Sequence, residues 1–456
     1  MSGELPAGWC HFTLNDLGGL SGGKTPSKAN AEFWSSRDVP WVSPKDMKKS
    51  LLEDAEDRIS QIAVDVAGMT LYPAGSVLMV TRSGILQHTF PVALAGAELT
   101  VNQDIKVLRP IEGIAPKFSF YMLKSFGGEI LSACSKDGTT VQSIDSEKLE
   151  AFPFPLPPLA EQTRIAAKLD ELLAQVDTLK ARIDGIPALL KRFRQSVLAA
   201  AVSGQLTEAW RDTHGVQLAE KKSIEDLSEL VTKGASPKWQ GISYVDDLSQ
   251  TLFVTSENVR SMHLDLAQEK YVEDGFNSLQ GRSVLQFGDV LTNIVGASIG
   301  RAAVWRHDRK ANINQAVCII RPRKEALISE YLSFYLNSPE GVANLAGEAV
   351  DVARANVSLS AVKGLKILAP GIPEQTEIVH RVEQLFAFAD QLEAKVKDAK
   401  TRIDRLTQSI LAKAFRGELV PQDPNDEPAS ELLARIQAQR ASAPKARRGR
   451  KQAENT

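Results

Sequence analysis

One stretch of this chain occurs twice, and that repeat constrains the fold more than any other feature. Residues 159–206 open Leu159-Ala160-Glu161-Gln162-Thr163 and close on Gly204-Gln205-Leu206, while residues 372–419 open Ile372-Pro373-Glu374-Gln375-Thr376 and close on Gly417-Glu418-Leu419. Positions 161 and 374, like 204 and 417, differ by 213, so the two copies align without a gap. An ungapped match of this length indicates duplication within the chain.

The apolar residues of the first copy fall at Ile165, Leu169, Leu172, Val176, Leu179, Ile183, Ile186, Leu190, Phe193 and Val197. Those of the second fall at Ile378, Val382, Leu385, Ala389, Leu392, Val396, Ala399, Ile403, Leu406 and Ile410. Spacings that alternate four and three define a heptad seam, and Lys180, Arg182, Glu393, Lys395 and Lys397 occupy its flanks. If helical throughout, each seam runs roughly 60 Å, longer than the wall of one domain needs. The two copies are therefore expected to pair with each other. Gly185 and Pro187 interrupt the first copy. An interior proline removes a hydrogen bond and clashes with the preceding turn, at about 3 kcal/mol, which predicts a kink or short break over residues 184–187.

With 456 residues, 43% of them hydrophobic, the chain can fill two or three domain cores. No apolar run approaches the roughly 18 residues of a membrane span. The opening Met1-Ser2-Gly3-Glu4-Leu5-Pro6 lacks a basic region followed by an apolar one, so a soluble, unexported, cytoplasmic protein is expected. Cys10, Cys134 and Cys318 are too far apart to form a CxxC metal site or a disulfide framework, and read as small buried hydrophobes. A net charge of −2 means that any nucleic-acid surface must be local.

Taken in order, the chain divides into five parts. Residues 1–157 carry short β-rich runs such as Ser76-Val77-Leu78-Met79-Val80 and Ile105-Lys106-Val107-Leu108, with helical pieces near 116–126, and read as a mixed α/β domain. Phe152-Pro153-Phe154-Pro155-Leu156-Pro157-Pro158 reads as a stiff extended linker, because each proline disfavours helix in the residue before it. Residues 158–206 form the first helical segment, 207–370 a second α/β domain and 371–420 the second helical segment. Residues 421–456 hold a short helix near 431–439 and a basic tail with Arg440, Lys445, Arg447, Arg448, Arg450 and Lys451, expected to be disordered and solvated. The second domain echoes the first: Gly288-Asp289-Val290-Leu291 answers Gly75-Ser76-Val77-Leu78, and Ile313-Asn314-Gln315 answers Val101-Asn102-Gln103. The helices resemble each other closely while the domains share only a skeleton, as expected if the domains diverged in what they contact.

Gly18-Gly19-Leu20-Ser21-Gly22-Gly23-Lys24-Thr25 matches the phosphate-cradling pattern GxxxxGK[ST] letter for letter. That motif needs a buried strand before it and a helix after it, yet a mediocre strand precedes it and Pro26-Ser27-Lys28 follows. Nucleotide binding is therefore disfavoured, as is a coiled-coil scaffold with no DNA function. Among the described motifs there is no HExxH, no Gly-x-Ser-x-Gly elbow and no Asn or Asp-Pro-Pro-aromatic loop of an amino-methyltransferase, so no catalytic or metal-ligating residue is assigned. What recurs is polar and basic loop chemistry of the kind that neutralises phosphates and pairs with base edges. The candidates are Lys24, Lys45, Arg82, Ser83, Gln87, His88, Lys136 and Thr140 in the first domain. In the second they are Lys233, Lys238, Asn258, Arg260, Asn293, Arg301, Arg354 and Asn356.

Pro157-Pro158-Leu159-Ala160-Glu161-Gln162, the run Leu189-Leu190-Lys191-Arg192-Phe193-Arg194-Gln195 and the paired Gln-Ser-hydrophobic-Leu-Ala segments resemble the specificity subunit of type I restriction-modification systems, most closely the K-12-type branch. Gly22-Gly23-Lys24-Thr25-Pro26 followed by Phe33-Trp34 and Pro40-Trp41 is similar to a common opening of that family's variable domains. The resemblance implies two α/β target-recognition domains joined by two long antiparallel coiled-coil helices, a pseudo-twofold tandem duplication. It implies that each domain reads one half of a split target in double-stranded DNA. It further implies that two methylation subunits bind the helices to give an adenine methyltransferase using S-adenosylmethionine, and that two restriction subunits add an ATP- and Mg²⁺-dependent motor and nuclease. The chain itself would bind no cofactor and catalyse nothing. Antiparallel pairing about a twofold axis would carry the two readers to opposite ends of a rod, matching half-sites about 34 Å apart on a duplex.

Overall fold

The computed structural model describes residues 4–136, 141–349 and 355–442. Both copies of the repeat are helical: a first long helix of 44 residues, Leu159–Val202, and a second of 43, Ile372–Ala414. Two compact units divide these helices between them, Met1–Arg182 with Ala399–Thr456 in one and Ile183–Asp398 in the other.

In the first unit the central antiparallel sheet has the spatial order Ser21–Gly22, Ile105–Leu108, Val77–Val80, Val92–Ala95, with Leu51–Leu52 added parallel at the edge. A smaller sheet places Val39–Val42 between Arg58–Ile59 and Thr100–Val101. The second unit repeats this plan with Ser228–Lys233, Val317–Pro322, Val290–Asn293 and Ala302–Val304. Its smaller sheet runs Tyr244–Val245, Tyr271–Val272, Thr251–Val254, Ala311–Ile313. In both units one pairing is parallel at the corresponding place, Val42 with Val101 and Val254 with Ile313. The central strands Val77–Val80 and Val290–Asn293 are buried at every residue, which explains the wholly apolar sequence of the first; the second buries Thr292 and Asn293 as well. The fold is thus mixed α/β and duplicated in tandem.

Within the first unit the opening of the first long helix lies with the close of the second. Ile165 and Leu169 are fully buried, Ile403 and Ile410 nearly so, Lys180 Nζ meets Asp404 at 3.2 Å, and Phe415 packs on Phe118 and Phe126 at 5.5 and 5.8 Å. In the second unit the close of the first helix lies with the opening of the second. Leu190, Val197, Ile378, Val382 and Ala389 are buried, and Arg194 reaches Asp390 at 2.5 Å and Glu393 at 3.0 Å. The helices are therefore antiparallel. Each is followed by a glycine with positive φ, Gly204 at 80° and Gly417 at 75°, the left-handed residue that commonly stops a helix and a duplicated position in the sequence.

The seam departs from a strict heptad. Val176 is buried, and Leu172, Ile183, Phe193, Leu385, Leu392 and Val396 are half-buried, but Leu179 and Leu406 are 47% and 46% exposed. A straight helix at 3.6 residues per turn drifts about 20° per heptad against a 3.5 repeat. The buried stripe accordingly takes in Leu173, Leu198, Ala201, Leu411 and Ala414 instead.

The expected short break is absent. The first helix runs unbroken through Gly185 and Pro187. Both residues are exposed, so water can reach the carbonyl that Pro187 leaves unbonded. A Cβ on Gly185 would meet nothing within 4 Å, and Gly185→Ala is expected to stabilise the chain by about 0.5–1 kcal/mol in urea denaturation. The proline-rich linker is extended, as expected, and is held in a sheet: Phe154–Leu156 is a strand paired antiparallel with Cys10–Phe12, as Lys366–Leu368 pairs with Lys221–Ser223. Proline is tolerated in so short a ladder because both strands are edges. The short helix of the C-terminal segment, Ala429–Ser442, docks on the first domain, where Leu432 Cδ1 would lie 2.7 Å from a Cβ on Gly113. Arg440 there donates to the Asn15 and Asp16 carbonyls at 2.6 Å each; Lys445 to Lys451 lie outside the described residues. No described helix is long and apolar enough to cross a membrane.

Candidate nucleic-acid interface

The glycine-rich loop has a structural reason that is not phosphate binding. A Cβ on Gly23 would sit 1.9 Å from the Val101 carbonyl oxygen, and one on Gly234, at the same place in the second unit, 1.9 Å from that of Ile313. Only glycine allows this crossing of backbones. Lys24 N–H donates to the Val101 carbonyl at 3.1 Å, and Trp41 Nε1 donates to the Lys24 carbonyl at 3.0 Å. No helix follows; the next one, Glu32–Ser35, is a single turn. The pattern therefore forms no phosphate cradle.

Pairing in the central sheets brings several candidate loops to one end of each domain. Gly22 lies opposite Lys106 and Val80 opposite Ile105, so Lys24 and Arg82 leave the sheet on the same side. Backbone bonds then attach Lys136 and Ser83 there: Lys136 N–H donates to Ser143, Ser83 N–H to Gln142, and Arg82 bridges to Ser143. Ser83 accepts from Ile85 N–H and caps the turn Gly84–Gln87, which presents Gln87 and His88 to solvent. In the second unit Lys233 lies opposite Cys318 and Thr292 opposite Ala302, which brings Lys233 and Arg301 to the corresponding end. Val295 bridges to Asn356 beside them. Lys238, in the turn Pro237–Gln240, is exposed. Thr140 and Arg354 lie outside the described residues.

Four candidates are otherwise engaged. Asn258 is buried, its amide oxygen taking Thr255 N–H at 2.8 Å and its nitrogen giving to the Asp265 carbonyl at 2.9 Å. Asn293 is fully buried and donates to the Ser256 carbonyl at 3.0 Å. Both pin loops and neither is placed to read a base. Lys45 is neutralised by Asp57 at 2.9 Å and Glu56 at 3.2 Å, which hold its pKa above the ordinary value. Arg260 faces Asp265 at 3.6 Å. A side chain's type can be read from sequence; what partners fold against it cannot.

Sequence reasoning also missed residues here. Trp239, between Lys238 and Gln240, is 81% exposed, an indole on a turn stiffened by Pro237 and suited to stack on a base. Its signal was an aromatic flanked by polar residues after a proline. Beside His88 a cleft of about 530 Å³ carries Lys48, Lys49 and Lys124. No periodicity marks these lysines.

The duplicated Glu-Gln pair ties each long helix to its domain. Gln162 accepts from Ala115 N–H at 3.1 Å and donates to the Pro157 carbonyl at 3.1 Å. Gln375 accepts from Ile328 N–H at 2.7 Å and donates to the Pro370 carbonyl at 2.7 Å. The neighbouring glutamates are buried but differently partnered. Glu374 accepts from Arg211 and from Thr207 Oγ1, both at 2.7 Å. Glu161 accepts from Trp9 Nε1 at 2.9 Å through one oxygen, and its other oxygen has no partner among the described residues. Burial raises the Glu161 pKa against the opposing pull of Trp9 and Arg164. The folded carboxyl thus keeps its proton above the ordinary 4.5, and its contribution to stability falls as pH rises from that value through the folded pKa. Glu161→Gln is expected to remove that fall and to melt higher than the parent at neutral pH, as thermal melts across the pH range would show.

A family model described as the type I restriction modification DNA specificity domain matches residues 6–188 and again 219–399. The chain is 32% identical to the type I restriction enzyme EcoKI specificity subunit of Escherichia coli strain K12, over 97% of each chain. It is 39% identical to the EcoBI specificity subunit of Escherichia coli, over 72% of each. Among solved structures it is similar in fold to the HsdS subunit from Thermoanaerobacter tengcongensis, with TM-score 0.56 and 19% identity over 91% of this chain and 99% of that one. A chain solved in work on complex assembly and conformational transition of the type I R-M system gives TM-score 0.62 at 19% identity, over 91% of this chain and all of that one.

Proposed function

The chain belongs to the type I restriction-modification DNA specificity family, and from that premise we propose that each α/β domain reads one half of an asymmetric, bipartite target in duplex DNA. The paired helices set the distance between the halves and dock methylation subunits. The observation that supports this best is one skeleton used twice, with different side chains on the loops at the same end of each sheet. Lys24, Arg82, His88 and Lys136 serve one half, and Lys233, Lys238 and Arg301 the other. Exposed Lys and Arg neutralise phosphates and fix register, while Gln87, Trp239 and Asn356 add hydrogen-bonding and stacking groups for bases.

Adenine methylation belongs to the partners. Two methylation subunits bring S-adenosylmethionine and flip the target adenine out of the stack to reach its amine. Two restriction subunits bring the ATP- and Mg²⁺-dependent motor and nuclease. This chain contributes position and sequence choice, in the cytoplasm, and no bond is made or broken on it.

Inserting four residues into the second long helix adds about 6 Å of rise. In a host carrying the cognate methylation subunit, methylome sequencing is expected to find the same two half-sites with the spacer longer by one or two base pairs, at about 3.4 Å per step. Altered half-site bases with an unchanged spacer would refute the ruler.

A further inference from the structure

The two units fill one place beside the reader loops differently. In the first, the cleft of about 530 Å³ begins at His88, next to the turn Gly84–Gln87, and reaches Gln408 of the second long helix. All its lining residues belong to the first unit. The buried Met47, Phe90 and Val92 are its apolar part, and Lys48, Lys49 and Lys124 supply its charges. No carboxylate lines it, and none of the three lysines has an ion-pair partner among the described residues. Lys124 Nζ donates to Ser50 Oγ at 3.4 Å and lies over the Phe120 ring at 5.5 Å. From outside the cleft Asp177 attracts Lys124 while Lys180 repels it. Three like charges facing one space repel one another, a cost that a bound anion removes.

The duplicated skeleton shows what the second unit has instead. Asp46 accepts from Ser43 N–H at 2.9 Å as Asn258 accepts from Thr255 N–H at 2.8 Å. That offset of 212 sets Lys48 and Lys49 against Arg260 and Ser261. Ala115 on Gln162 is matched by Ile328 on Gln375, and that offset of 213 sets Lys124, on the helix Pro116–Ser125, against Asn337. Asn337 is buried and bonds both the N–H and the carbonyl of Ala302, at 3.3 and 2.8 Å. Ala302 lies opposite Thr292 as Val92 lies opposite Met79, so Asn337 closes helix onto strand where Lys124 leaves a gap. Arg260, the one cation kept, faces Asp265. Three unpaired lysines in one unit are thus a paired arginine, a serine and a buried asparagine in the other.

We propose that Lys48, Lys49 and Lys124 hold phosphates of the DNA backbone beside the first half-site, a sequence-independent grip that the second unit lacks. The inference rests on the reading that the first domain meets DNA through the loop carrying His88, and it divides the work unequally between the two readers. Ammonium groups on flexible stems are point charges that suit phosphate oxygens without a fixed geometry, and such contacts set position without reading bases. Continuity with the loop at His88 selects the backbone of bound DNA over a free phosphate. The first half-site is accordingly held with a steeper dependence on salt than the second.

The test uses the full chain with its methylation subunit on duplexes carrying the target that methylome sequencing identifies. The parent is compared with the triple variant Lys48→Gln, Lys49→Gln and Lys124→Gln by fluorescence anisotropy over a range of salt. All three lysines are exposed, so melting like that of the parent is expected and serves as the folding control. The plot of log affinity against log salt should flatten by about two to three, near 0.9 for each phosphate released. Affinity at about 0.1 M salt should fall tenfold or more, equally for target and unrelated DNA, with the methylated half-sites unchanged. Neutral methylphosphonates beside the first half-site should weaken the parent and not the triple variant, while those beside the second half-site should affect both alike. A triple variant with the parent's affinity and salt slope would overturn the proposal and leave the functional reading standing. Altered half-site bases would make the lysines base readers and equally overturn it. Inorganic phosphate or ATP bound by the parent and lost in the variant, with DNA binding unchanged, would assign the cleft to a free phosphate instead. A parent complex that binds no DNA would overturn the functional reading and this inference together.

Discussion

Arg211→Met is expected to cost the second unit about 3–5 kcal/mol, the usual penalty for leaving one member of a buried ion pair alone. The Arg211 side chain is 10% exposed and that of Glu374 3%. The guanidinium also donates to the Gly204 carbonyl at 2.7 Å and to Thr207 Oγ1 at 3.2 Å. It therefore ties the end of the first long helix to the beginning of the second. Without it, a carboxylate remains buried with one hydroxyl donor. Urea denaturation of the full chain reads the loss, and the double variant Arg211→Met with Glu374→Gln should recover most of it, because removing both charges removes the desolvation penalty. A single variant within about 0.5 kcal/mol of the parent, the range of ordinary surface substitutions, would show the pair to be solvated.

Gly234→Ala is expected to be as severe or worse. Its new methyl group would lie 1.9 Å from the Ile313 carbonyl oxygen and 2.7 Å from that of Asn314. Neither can retreat, since Ile313 is paired in parallel with Val254 and Asn314 N–H donates to the Val254 carbonyl at 3.0 Å. Overpacking typically costs about 1–3 kcal/mol when side chains can shift; here the obstacle is backbone inside a sheet, and the penalty should reach or pass the top of that range. Gly23→Ala meets the same barrier at Val101 and Asn102, at 1.9 and 2.4 Å. Yield of folded protein and thermal melting measure both, with Gly185→Ala as a control that should not lose stability. Parent-like melting of Gly234→Ala would mean that the two strands do not cross there.

The duplication, the long helices and the mixed character of the domains were legible because each leaves a regular mark: an ungapped offset, a three-four spacing, short β-rich runs between glycines and prolines. The candidate interface was legible only in part. Lys24, Arg82 and Arg301 are exposed or half-exposed and leave their sheets at corresponding ends. Asn258 and Asn293 have equally suitable chemistry but are buried in loop-pinning bonds. Lys45 carries the right charge but is held by two acids. Glu161 and Gln162 were visible as a repeat, yet nothing in their spacing indicated that Trp9 and Ala115 would be their partners.

The sequence by itself determined that this chain is one module written twice, that its helices carry matching apolar stripes, and that its loops diverged. Those properties are periodic or repeated, so they survive in one dimension. Only the tertiary structure decided which residues face water, because exposure depends on contacts between positions hundreds of residues apart. It decided that the GxxxxGKT pattern is a backbone crossing, since the obstructing carbonyl belongs to Val101. It decided, too, that equivalent places in the two units differ, a lysine bridge at Asp170 and an exposed glutamate at Glu383, because one changed charge has meaning only beside the residue that folding sets against it.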